Sequence, residues 1–136
     1  MANEISLTVA KIRPLPGALV RRFDAGGTLT PGQAVYIASD GDVEPADGSA
    51  VATLLGTNGI VVSGSQGKVS YAAGDRVDVV VHGPVTGYSG MTPGAPLYVH
   101  DTAGVISEVA GTKKFFIGYA ESAVTAFVRT QISDLS

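Results

Sequence analysis

The chain has 136 residues, a length that suits one domain and buries roughly two-thirds of the surface its unfolded form exposes. Hydrophobic residues make up 45% and charged residues 15%, against about 25% charged in a typical domain, and with a formal net charge of −3 a phosphate-binding surface is a poor expectation for its main function. The absence of cysteine removes disulfides, thiolate nucleophiles and cysteine-based zinc sites.

Glycine and proline, 18 and 7 in number, recur every few residues, break helices and punctuate turns. Between them lie short runs rich in Val, Ile, Thr and Tyr, so the expected class is all-β. Disorder would require low hydrophobicity and high net charge, and the chain has neither. The start "MANEISLTVAKIRP" places an acidic residue early and has no long apolar run, so no signal peptide is expected. No stretch approaches the roughly 20 apolar residues of a membrane span. Synthesis and folding in a cytoplasm follow as the expectation.

In the first segment, Ile5, Leu7 and Val9 alternate with Ser6, Thr8 and Ala10, the pattern of a strand with one apolar face. "KIRPLPGALVRRFDAGG" follows, with two prolines in three residues, which favours extended, poorly paired backbone. Residues 1–28 are therefore read as an N-terminal arm and 29–136 as a β-barrel domain. Arg21-Arg22 is too small a basic pair for a nucleic-acid track.

At "TPGQAVYIASDGDV" a Thr-Pro-Gly turn leads into the strand "QAVYIA", the turn "SDGD" and a short strand around Val43. "VATLLG" and "GIVVSG" are two apolar runs split by "TNG", read as a turn. In "RVDVVVHG", Val77, Val79 and Val81 share one face against Asp78, Val80 and His82. The tail "YAESAVTAFVRTQISDLS" has no glycine or proline, and Val124, Thr125, Phe127, Val128, Thr130 and Ile132 favour a strand there.

The opening phrase returns as "TPGAPLYVHDTAGV". An offset of 62 pairs Thr30 with Thr92, Pro31 with Pro93, Gly32 with Gly94, Tyr36 with Tyr98, Val43 with Val105 and Gly56 with Gly118. Apolar character persists at Val35 and Leu97, Ile37 and Val99, Leu54 and Phe116, and Leu55 and Ile117. Two copies in one small domain point to pseudo-equivalent halves of a barrel or sandwich closing one core. A solenoid would need at least three repeats.

Candidate chemistry is sparse. Asp40, Asp42 and Glu44 stand at alternate positions like the start of a calcium loop, but Pro45 and Val51 occupy the places that need glycine and a bidentate glutamate. Ser65 and Lys68 have Ser-x-x-Lys spacing, yet they lie between glycines in a hairpin sequence and not at a helix start. The same stretch lacks the first glycine and the Ser or Thr of a phosphate loop. His82 ends a valine strand and His100 stands beside Asp101, but no Gly-x-Ser-x-Gly elbow presents a serine to them. Two histidines without cysteines make a poor metal site. No catalytic residue, cofactor or metal is expected, and Tyr36 and Tyr98 are read as buried rings.

"TPGAPLYVHDTAGVISEVAGTKKFFIGYAESA", with "LTPGQAVYIASDGDVEPA" and "AAGDRVDVVVHGPV", resembles the capsid cement, or head decoration, proteins of tailed bacteriophages. The likeness covers roughly residues 29 to 130 and rests on short turn-strand phrases. It implies a small β-barrel or β-tulip protein, often trimeric, on the capsid exterior of the virion. Its partners would be the major capsid protein and itself, with no nucleic acid or membrane, and no catalytic residues come with it. Ile5, Leu7, Val9, Arg13, Arg21, Arg22 and Phe23 of the arm are then the candidate capsid or subunit contacts, residues 4 to 12 adding a strand to a neighbour's sheet edge. The competing reading is a β-barrel module for a glycan or host surface, which the lack of tryptophan and the 7% aromatic content weaken. A hydrolase built on His100 and Asp101 ranks last.

Overall fold

A computed structural model describes residues 6–7, 11–48, 57–63, 70–109, 112 and 114–134. The described residues form twelve strands and no α-helix, and every ladder between named strands is antiparallel. The main sheet curls strongly into a half-barrel, the all-β barrel-like fold that the glycine and proline punctuation predicts.

The order across the sheet is a near-palindrome. β4 (Ala34–Ile37), β5 (Val43–Pro45), β6 (Thr57–Val62) and β7 (Arg76–Thr86) lie as β5-β4-β6-β7; β9 (Pro96–Val99), β10 (Ile106–Ser107), β11 (Lys114–Ala120) and β12 (Thr125–Asp134) lie as β10-β9-β11-β12. The two sets meet along β7 and β12, where Val85 faces Ala126 and Gly83 faces Val128. β7 therefore belongs to both halves. Its first part holds β3 (Leu19–Asp24) and β6, and its last part holds β12 and β2 (Arg13–Pro14).

Each half begins with the turn of the repeated phrase. Gln33 N donates to Thr30 O and Ala95 N to Thr92 O, and the third turn residues, Gly32 and Gly94, have φ of +97° and +85°, which L side chains avoid. A hairpin follows in each. The next strand then carries the same irregularity: Tyr36 faces Thr57 and Val35 faces Gly59, with Asn58 extra, while Tyr98 faces Phe116 and Leu97 faces Gly118, with Ile117 extra. Such a one-residue bulge bends a strand and shifts its alternation.

The two bulge glycines are required by close approach. A Cβ at Gly59 would stand 2.0 Å from Val80 O, and one at Gly118 would stand 1.9 Å from Phe127 O. Gly59 is thus the structural counterpart of Gly118, which corrects the gap-free pairing with Gly56, a residue outside those described. The cause is loop length: 21 positions separate Tyr36 from Thr57 and 18 separate Tyr98 from Phe116. "TNG" accordingly opens β6 and is not a turn.

The halves share an interior but present opposite faces of the repeat to it. The main core includes Ala34, Ile60, Val62 and Val80 from the first half and Leu97, Val99, Phe115, Ile117 and Val128 from the second. Val35, counterpart of Leu97, points instead into a second cluster with Val43, Val61, Val77 and Val79. Ala25, Leu29, Tyr71 and Phe23 roof that cluster, so the first half is buried on both sides. This explains the unbroken apolar run of "GIVV", since a strand covered on both faces has no solvent side to mark with polar residues. Val77, Val79 and Val81 do share a face, the one toward the second cluster.

The segment read as an arm is tied into the wall from Lys11 onward. Ile12 is fully buried in the main core, β2 pairs with Thr86 and Val85, and β3 pairs with Arg76 to His82 of β7. Ser6 and Leu7 form β1, pairing with Ser89 and Tyr88 of β8 (Tyr88–Ser89) in the same chain.

Candidate functional site

The residues expected to make contacts separate into three groups. Ile5 and Val9 lie outside the described residues, and Leu7 spends its backbone pairing on Tyr88. Arg13, Arg21 and Arg22 are exposed on β2 and β3, where the side chains of successive strand residues alternate between faces. Phe23 is half-buried and packs on the second cluster.

β3 gathers most of what remains. Among the described residues its ladder partner is β7, leaving its outer edge with backbone donors and acceptors unpaired by a strand. Leu19 and Val20 are 53% and 37% exposed, and Leu15 in the preceding turn is exposed too. Arg22 Nε donates to Asp78 Oδ1 at 3.1 Å and Arg76 Nη1 to Asp24 Oδ1 at 3.1 Å, both at the surface. Arg21 has no ion-pair partner among the described residues. The edge therefore combines apolar side chains with a free guanidinium.

Among the described residues neither His82 nor His100 is hydrogen-bonded to a carboxylate. His100 Nδ1 accepts from Thr102 N at 3.1 Å. Asp101 turns away to Thr112, whose backbone N donates to Oδ1 at 2.7 Å and whose hydroxyl donates to Oδ2 at 2.5 Å. Those hydrogen bonds, hydroxyl first, hold the Asp101 carboxyl below its ordinary value of 3.8. The pair is a loop clasp. In the "SDGD" turn, Asp40 Oδ1 accepts from Asp42 N at 3.0 Å. Among the described residues no three His, Asp or Glu side chains converge on a common point.

Buried tyrosine hydroxyls occur at Tyr71, donating to Val62 O at 2.9 Å, and at Tyr88, donating to Gly32 O at 3.0 Å. Burial pushes the Tyr88 hydroxyl well above its ordinary range. Tyr98 is buried as expected, but its ring lies on Phe116 with centroids 4.8 Å apart.

That contact opens onto a second surface. On the outer side of β9, β11 and β12, Tyr119 stacks on Phe127 at 5.3 Å and 21°, and His82 meets Phe127 edge-on at 5.3 Å. Tyr98, Phe116, Tyr119 and Phe127 are four of the nine Phe and Tyr residues in the chain. A cleft of about 220 Å³ is lined by Gly94, Pro96, Phe116, Gly118, Tyr119 and Arg129. Strict alternation would put Phe116 and Tyr119 on opposite faces. The bulge at Gly118 slips the phase and brings both outward, so a period-two reading of "FFIGYA" passes over the cluster.

Comparison of the chain with models of known families and with curated proteins finds no match.

Proposed function

We propose that the chain is a structural virion protein that binds the outer surface of a tailed-phage capsid, as a trimer at local three-fold positions, and stabilises the expanded shell against the pressure of packaged DNA. Two things support this reading: the resemblance in the repeated turn-strand phrases, and the adhesive character of β3. The second carries the weight. Proteins blunt an open strand edge with charged side chains, bulges or a covering loop. β3 carries a register shift between Leu19 and Val20 and the charges of Arg21, Arg22 and Asp24, yet among the described residues it still presents Leu19 and Val20 to solvent beside Arg21, which has no ion-pair partner. A strand from a shell subunit laid along β3 would gain main-chain hydrogen bonds and cover those side chains.

The mechanism is linkage. A protein that binds the assembled lattice and not its dissociated subunits stabilises the lattice by its binding free energy. A trimer engaging three neighbouring subunits multiplies modest contacts through effective concentration. No catalytic step belongs to this role.

The test is co-sedimentation of the purified chain with expanded shells of candidate tailed phages. Removal of residues 2–24 would also remove Ile12, β2 and β3 from the wall, so substitutions at the surface are the cleaner probes. The wild-type chain pellets with its cognate shell and raises the temperature at which the shell disrupts. Leu19→Asp combined with Arg21→Glu leaves the fold intact and the protein in the supernatant. Equal pelleting of that variant would remove β3 from the contact, and failure of the wild type to pellet with any expanded shell would remove the function.

A further inference from the structure

The aromatic cleft has a composition that the packing of the barrel does not require. Among the described residues its charged lining residue is Arg129, exposed on β12 and without an acidic partner there. Phe116 and Tyr119 line it from β11, with Gly118 between them in the strand. Gly118 stays without a side chain for a structural reason, because one would strike Phe127 O. In the first half, among the described residues, Phe23, Ala25, Leu29 and Tyr71 cover the outer side instead. Tyr119 by contrast is 37% exposed.

We infer that this cleft is a binding site for an acidic sugar, a pyranose ring carrying a carboxylate, as in uronic and sialic acids.

Three features select that chemistry. The volume of about 220 Å³ lies below the roughly 300–1,000 Å³ of pockets that enclose drug-sized ligands, and matches one ring with its substituents better than an extended molecule. The exposed Tyr119 offers apolar ring surface with a polar edge at its hydroxyl, which suits an amphipathic ring whose C–H face is apolar and whose rim is hydroxylated. The free guanidinium supplies a planar, two-pronged donor set that fits a carboxylate. A neutral sugar would leave that charge unanswered.

A peptide fits less well. β11 is paired on both edges, with β9 and with β12, and Gly94 N already donates to Ala120 O at 2.7 Å. An extended chain would find no ladder to join, and peptide recognition by strand addition needs one. Only the side-chain face is offered. The inference concerns the free chain and stands apart from shell binding, so either can fail without the other.

The experiment uses the full chain and two-dimensional NMR titration with five probes: methyl glucuronide, the methyl glycoside of N-acetylneuraminic acid, neutral methyl glucoside, sodium acetate and a short aromatic-aspartate peptide. The expected result is saturable shifts confined to residues around Gly94, Gly118 and Arg129, with an acid sugar bound at least about tenfold more tightly than methyl glucoside or acetate. Preference for one acid sugar over the other identifies the source of the ligand. Arg129→Gln removes the preference for acid sugars, and Tyr119→Ala weakens both acid and neutral sugars; Tyr119→Leu serves if the alanine variant does not fold. Acetate binding as tightly as the acid sugars would make the site a simple anion contact and overturn the inference. So would equal affinity for neutral and acidic rings, an unchanged preference in Arg129→Gln, no saturable shift with any sugar, or tighter binding of a short aromatic-aspartate peptide than of either acid sugar.

Discussion

Replacing Gly118 by alanine tests the bulge that both halves share. The added Cβ would sit 1.9 Å from Phe127 O, so β11 and β12 must part by about 1 Å before even a crowded 3.0 Å contact is reached. Crowding a packed site costs about 1–3 kcal/mol, and loosening the two or so ladder hydrogen bonds beside the bulge costs about 1 kcal/mol each. The sum is about 3–5 kcal/mol, a large part of the roughly 5–15 kcal/mol that holds a domain together. Gly59→Ala should cost a similar amount, because its Cβ would lie 2.0 Å from Val80 O. Gly41 is the control: φ is +90° and nothing stands within 4 Å of its Cβ, so Gly41→Ala incurs only backbone strain of about 1–2 kcal/mol. In urea, with a slope near 2 kcal/mol/M, the bulge variants should lose about 2 M in midpoint and the control under about 1 M. A Gly118→Ala midpoint within about 0.5 M of wild type would refute the close approach. A Gly59→Ala cost far below that of Gly118→Ala would refute the equivalence of the two bulges.

Asn58, the extra residue of the first bulge, buries both amide atoms without a hydrogen-bond partner, so Asn58→Leu should raise stability by about 1–3 kcal/mol in the same urea assay. Arg22→Ala and Arg76→Ala each break a surface ion pair whose arginine side chain is 61% or 63% exposed, and each should shift stability by less than about 1 kcal/mol. The depressed Asp101 carboxyl contributes stability that is present above its ordinary value of 3.8 and is lost as pH falls through its lower folded value. Thr112→Ala should therefore raise the Asp101 midpoint in an NMR titration and flatten the acid limb of the stability curve. Tyr88→Phe removes the hydroxyl that donates to Gly32 O and should cost about 1–3 kcal/mol, read from the thermal or urea midpoint.

The class and the repeat were legible because they depend on local signals. Thr30-Pro31-Gly32 and Thr92-Pro93-Gly94 encode the same turn, and the hairpins after them begin at matching positions. The strand over Thr125–Asp134 was legible for a similar reason, its β-branched content with no breaker. What the sequence hid is phase. The connection before β6 is three residues longer than the one before β11, and a bulge carries no residue signature beyond a glycine. As a result Gly56 stood in for Gly59, "TNG" read as a turn, and Phe116 and Tyr119 were not seen as neighbours. The prolines of "KIRPLPG" argued for an arm by weakening local pairing, yet Ile12 and the β2 and β3 ladders anchor that stretch through contacts distant in the chain. The charges of Arg21 and Arg22 were readable, but not the strand that exposes them or the pairing of Arg22 with Asp78. The cleft was not, because Arg129 and Phe116 meet only after the sheet has formed.

The double membership of β7 has a consequence for how the protein comes into being. This strand takes partners from as early as Arg13 and as late as Val128, so a nascent polypeptide emerging from the ribosome holds an incomplete seam until the final strand has been released. Topologies closed by such distant pairings fold in milliseconds to seconds instead of microseconds, and during that interval the valine-rich margin of β7 is open to other unfinished chains. Slow translation near residue 86 would lengthen the exposure, and a temperature-dependent yield of soluble product is the expected symptom.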